Sequence, residues 1–176
     1  MQKRNRGFTL IEILIVIALM AVLTGAGADL FVNSLKAYQK SQIMNQLSQN
    51  GNYVMSTVLN TARSADEISI DEETHSVLTI TDEDVQTVFR IKAGAQSVGV
   101  ITKQVGGGTE ETITNLSPTS GVDVVPGDSR FDVTTNPPQT LTVTLKIRQA
   151  PNTPLNRAYE TAITLTNSVI IRGEYL

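Results

Sequence analysis

Apolar and polar residues follow two different rhythms along this chain, and the change between them divides it. From Phe8 to Ala28 there are 21 residues whose only charge is Glu12. That length is close to the roughly 20 apolar residues a helix needs to cross the hydrocarbon of a bilayer. The helical spacing then continues. No proline occurs from Leu30 to about Ala65, and Met44, Leu47, Val54, Val58 and Ala62 recur at helical spacing. Phe31, Leu35 and Tyr38 form a similar stripe just before them, while Lys36, Lys40, Gln42, Gln46 and Gln49 fall on the polar side. This is the pattern of an amphipathic helix. Gly25 with Gly27, and Asn50-Gly51-Asn52, are its weak points, since each glycine costs about 1 kcal/mol against alanine. Because the apolar spacing resumes in register, bending is expected there and not termination.

After Ala65 the period becomes 2. Alternating runs rich in Val, Ile and Thr occur at Ser76–Ile80, Val85–Ile91, Val98–Lys103, Glu111–Leu116, Arg130–Thr134, Leu141–Ile147 and Ala162–Ile171. They read as antiparallel strands. Thr81-Asp82-Glu83-Asp84 and Gly106-Gly107-Gly108 read as hairpin turns. Pro118, Pro126, Pro137, Pro138, Pro151 and Pro154 all fall between the runs, as strands require. Val169, Ile170, Ile171 and Tyr175 are expected in the last strand. The fold class is therefore α+β: a long N-terminal helix, transmembrane and then amphipathic, packed through its Met44–Ala62 stripe against an antiparallel β-sheet. The segments are a leader at 1–7, a membrane helix at 8–28, an amphipathic helix at 29–65 and a β-rich domain at 66–176.

Charge sharpens this division. The formal net charge is −3, but Lys3, Arg4 and Arg6 precede the apolar run; without them 11 basic residues face 17 acidic ones, a net of −6. Basic residues on the N-terminal side predict a cytoplasmic N-terminus and the remainder outside. An acidic outer domain argues against nucleic-acid binding, which needs a basic face to neutralise phosphates. The chain has no cysteine, which excludes disulfides, thiolate metal sites and cysteine nucleophiles.

The chemistry centres on Glu12. A carboxylate deep in a bilayer costs roughly 2.5 to 3.5 kcal/mol on insertion scales, so it is usually paired. Cleavage after Gly7 would leave the amine of Phe8 as a cation four residues from Glu12. In a bundle of parallel, staggered copies, Glu12 of one could meet the Phe8 amine of the next. Such a pair would chiefly set register, because any other stagger buries a charge alone. Ala18, Ala21, Gly25, Ala26, Gly27 and Ala28 are small enough to let such helices approach closely.

Gly7-Phe8-Thr9-Leu10-Ile11-Glu12, after a short basic leader and before an apolar run, resembles the signal of type IV pilin-like proteins, the type IV pilins and the pseudopilins of secretion and competence systems. The resemblance covers about residues 3 to 25. It implies a prepilin peptidase that cleaves after Gly7, N-methylation of Phe8, Glu12 as the assembly carboxylate, and a lollipop of long helix and sheet. It further implies storage in the cytoplasmic membrane as a single-pass protein, then polymerisation with homologous subunits into an extracellular or periplasmic filament. No enzymatic activity is expected, since no set of convergent polar residues stands out. The chain lacks the proline that many major pilins carry about three turns beyond the glutamate, and the cysteines with which many close a C-terminal loop. Both departures favour a minor pilin or pseudopilin.

Other readings stay open. Lys3, Arg4, Arg6, the apolar run and Ala26-Gly27-Ala28 also fit an ordinary secretory signal cut before Asp29. The product would then be a secreted or anchored β-rich binding module, although such a signal has no use for Glu12. No cofactor is expected. The clusters Asp66-Glu67, Asp71-Glu72-Glu73 and Asp82-Glu83-Asp84 could supply oxygen ligands to calcium, as in some pseudopilins, but they lack EF-hand spacing and charged turns are usually just solvated. His75, the only histidine, reads as a surface residue with no metal or catalytic partners. Gly106–Gly108 is not followed by Lys-Ser/Thr and is no phosphate loop.

Overall fold

The computed structural model describes residues 8–94, 98–117, 121–134, 138–151 and 161–171. The leader, Pro118, Pro137, Pro154 and Tyr175 lie outside the described residues. The chain divides into two units, Met1–Ser41 and Gln42–Leu176. Both draw on a single helix, α1, which runs Leu10–Arg63.

Neither glycine site interrupts α1. Its polar side chains bond back to carbonyls one turn earlier: the Thr24 hydroxyl donates to Met20 O at 2.7 Å and the Asn50 amide to Gln46 O at 2.9 Å. In the first unit every described residue from Phe8 to Tyr38 is exposed. In the second unit α1 buries Ile43, Leu47, Gly51, Val54, Met55, Val58, Leu59 and Ala62, while Gln42, Gln46 and Gln49 face water. The buried face thus sits slightly round the helix from the expected one. Met44 is 38% exposed, and Ile43 takes the core position instead. Gly51 is no weak point. Here the helix lies close against the second sheet: a Cβ would collide with Leu165 Cδ1 and lie 2.8 Å from Ile147 Cδ1.

The strands are β1 (Glu67–Ile70), β2 (Val77–Asp82), β3 (Val85–Ala93), β4 (Gly99–Val105), β5 (Glu111–Thr112), β6 (Val122–Val124), β7 (Arg130–Thr134), β8 (Thr140–Gln149) and β9 (Ala162–Ile170). They form two antiparallel sheets and not one. The first is a meander in the order β1-β2-β3-β4-β5; in the second, β8 pairs β9 on one side and β6 and β7 on the other. Strands β1 and β6 have no counterpart among the expected runs. Conversely, the expected strand Glu111–Leu116 shrinks to β5, and Leu116 is 56% exposed. Pro126, Pro138 and Pro151 lie outside strands, as expected. Period-2 burial is clearest in β8, where Leu141, Val143, Leu145 and Ile147 all face the core. A single hydrophobic cluster joins these residues to Leu47, Val54 and Val58 of α1 and to Leu78, Ile80, Phe89 and Ile101 of the first sheet.

Both expected hairpin turns form. Glu83 and Asp84 link β2 to β3 with φ of 48° and 76°, and Gly106 and Gly107 follow β4 with φ of 57° and 71°. Two successive positive φ values define the turn whose twist matches that of paired strands. The first uses no glycine; instead Asp66 Oδ2 accepts the Glu83 amide at 2.9 Å, and the Asp66 amide donates to Thr81 O.

Among the described residues, hydrogen bonds tie the first sheet to the second at β7 and at β6. The His75 carbonyl accepts the Phe131 amide at 2.9 Å, and the imidazole Nδ1 lies 3.1 Å from both Phe131 O and Asp132 Oδ1. His75 is therefore only half-exposed and ties the turn after β1 to β7. At the other joint, Gly99 of β4 donates its amide to Asp123 Oδ1 of β6 at 2.6 Å, and Asp123 Oδ2 accepts from Arg148 Nε of β8 at 2.5 Å. Asp123 is almost fully buried, with 2% of its side chain exposed. A Cβ at Gly99 would collide with the Val124 carbonyl oxygen, so only glycine lets β4 pass β6 this closely.

Candidate assembly and processing site

Among the described residues, the site expected from the sequence is the start of α1. Thr9 occupies the position before the first helical residue. The Glu12 amide donates to Thr9 Oγ1 at 3.3 Å, and the Thr9 amide donates back to Glu12 Oε2 at 3.4 Å. The Thr9 carbonyl also accepts from the Glu12 and Ile13 amides. Both side-chain bonds are long, but together they form a capping box, in which a hydroxyl and a carboxylate satisfy amides the helix itself leaves unpaired. The signal for it in the sequence is the Thr-x-x-Glu spacing of Thr9 and Glu12, which is independent of the charge of Glu12. The box matters in an apolar phase, where unpaired amides cost several kcal/mol each. A carboxylate in the first turn is also favoured by the positive end of the helix dipole.

Phe8 precedes the cap and is 80% exposed. The structure therefore brings Phe8, Thr9 and Glu12 into one turn, while Gly7 lies outside the described residues. From Leu10 to Leu23 the large apolar side chains are between 47% and 83% exposed. This part of α1 is long and apolar enough to cross a membrane. Gly25 and Gly27 have nothing within 4 Å of where a Cβ would stand, so no contact inside the chain calls for glycine there.

Residues 2–28 match the model of the prokaryotic N-terminal methylation motif. The chain carries the type IV pilin-family signature. Over these residues the chain is similar to pilins and pseudopilins, and the α+β arrangement of long helix and antiparallel sheets is pilin-like. The signature belongs to a family that is structural and not catalytic, and it fits membrane anchoring through α1. No curated protein and no solved structure matches the chain.

In the β-rich half, two of the carboxylates considered for calcium serve turns. Asp66 holds the β2–β3 turn, and Asp71 accepts the Glu73 amide and the Thr74 hydroxyl. The Thr74 bond and then the Glu73 amide hold the Asp71 carboxyl below the usual aspartate range. Among the described residues no group of three or more acidic, histidine or cysteine side chains gathers as metal ligands. Glu110 bridges the first sheet: Lys92 Nζ donates to it at 2.6 Å, with Thr102 and Arg90 beside it. The Lys92 bond first, then Thr102, hold its carboxyl below the usual glutamate range. An open depression of about 410 Å³ lies beside Gln149, Pro151 and Thr161. Its two cations are engaged, Lys146 with Asp128 and Arg148 with Asp123.

Proposed function

We propose that this protein is a filament subunit, made as a precursor and polymerised through α1 into a type IV pilus or a type II secretion-like pseudopilus. On this reading a prepilin peptidase cuts after Gly7, the new N-terminus at Phe8 is methylated, and α1 waits in the cytoplasmic membrane with its N-terminus inside. The observation that carries the reading is the Gly7–Phe8–Glu12 signature at the mouth of an uninterrupted helix whose apolar side chains are exposed in the single chain. Exposed leucine and isoleucine over this length need lipid or other helices to cover them. Glu12, held loosely by its own cap, is free to exchange that contact for the Phe8 amine of a neighbouring subunit. Gly25 and Gly27, which no intrachain contact requires, let a neighbouring helix approach closely. The missing proline and cysteines favour a minor pilin or pseudopilin.

Mass spectrometry of the mature protein tests the processing step: the N-terminus is expected at Phe8, carrying one methyl group. A product beginning at Asp29 overturns the reading in favour of a secreted module. The assembly step is tested by Glu12→Leu, which is expected to leave membrane insertion intact and to remove the subunit from sheared filaments.

A further inference from the structure

Between Glu12 and Arg63, α1 carries three charged side chains, Asp29, Lys36 and Lys40. Lys36 and Lys40 follow Asp29 by seven and eleven positions, which places each within about 20° of its direction. The three charges share one face. All are exposed, and none joins an ion pair among the described residues. A single chain cannot pair them. Seven residues are about 10.5 Å of helix axis and eleven about 16.5 Å, and since helical side chains lean the same way, toward the N-terminus, their reach does not close the gap. Lys36 and Lys40, four apart, repel each other.

A second copy removes the difficulty. In a parallel helix displaced toward the C-terminal end by seven to eleven residues, Asp29 stands level with Lys36 and Lys40 of the first. We infer that this face is a second electrostatic contact between protomers: Asp29 of one copy inserts between Lys36 and Lys40 of its neighbour and fixes an axial displacement of about 10 to 17 Å. Glu12 lies about 100° round the helix from Asp29, so its pairing with a Phe8 amine engages a different neighbour. Two contacts on separate faces define the displacement of each subunit against two others, which one contact cannot do. The inference rests on the filament reading above.

A zero-length carbodiimide coupling, applied to filaments assembled from mixed light and heavy-isotope subunits, tests it on the unaltered chain. The expected product joins Asp29 to Lys36 or Lys40 across the two isotopes. Filaments without that link, or with links confined to one isotope, overturn the inference and leave the filament reading standing. Failure of the unaltered chain to form filaments overturns both. As a second measurement, Asp29→Lys is expected to lower filament yield about tenfold at unchanged subunit level, because three like charges then meet. Combining it with Lys36→Asp and Lys40→Asp is expected to restore the yield to within about twofold, since the complementary pattern returns. If the lysines serve anionic lipid headgroups instead, the triple variant stays defective and the inference fails.

Discussion

Replacing Asp123 by alanine removes the acceptor that joins the two sheets. The Gly99 amide, buried and bonded to Asp123 Oδ1 at 2.6 Å, would lose its partner. A buried donor left unpaired costs about 1–3 kcal/mol. The lost bond to Arg148 adds less, because that side chain is 56% exposed and rehydrates; a screened pair of this kind contributes about 0.5–1 kcal/mol. The total is about 1.5–4 kcal/mol, a large part of the roughly 5–15 kcal/mol that holds a domain folded. Asp123→Asn keeps an oxygen for the Gly99 amide but puts an NH2 group where Arg148 Nε finds its acceptor, so the Arg148 bond is lost and the buried amide stays paired; its expected cost is smaller, about 1–2 kcal/mol. Urea unfolding of residues 42–176, followed by circular dichroism, measures both. The reasoning fails if alanine costs under about 0.5 kcal/mol, or if asparagine is as damaging as alanine.

Further expectations concern other parts of the fold. Gly99→Ala drives a Cβ into the Val124 carbonyl, a backbone atom that cannot step aside, and is expected to cost about 3 kcal/mol or more in the same unfolding assay. Asp84→Gly relieves a non-glycine residue at φ 76°, and is expected to stabilise by up to about 1 kcal/mol, read as a higher urea midpoint. Glu110 has its folded pKa lowered, first by Lys92 and then by Thr102, so its contribution is complete above the ordinary glutamate range and is lost as pH falls through the lowered folded value. Glu110→Gln is therefore expected to flatten the acid limb of the stability profile and to leave its slope near neutral pH unchanged. Thr9→Val breaks the capping box and is expected to fray the first turn of α1, seen as faster amide exchange at Leu10–Ile13 in detergent.

The sequence by itself determined what depends on near neighbours. The period-3.6 and period-2 segments named α1 and most strands, because one exposed and one buried face impose those spacings locally. The acidic pair at 83–84 and the glycines at 106–107 marked turns for the same reason, and the residues from Gly7 to Glu12 carried the family signature. Where neighbours in space lie far apart along the chain, the sequence was silent or misleading. Nothing local marks Asp123, because its partners Gly99 and Arg148 are 24 and 25 residues away. Gly51 looked like a flaw in the helix until Leu165 and Ile147 were found against it. Strand β1, only Glu67–Ile70, is defined by its pairing with β2, and β6 by its pairing with β8. Their own residues are too few to show a period. Division into two sheets, and the choice of Ile43 over Met44 for the core, likewise follow from how layers pack. Packing is decided by shape complementarity between distant segments, which no local pattern records.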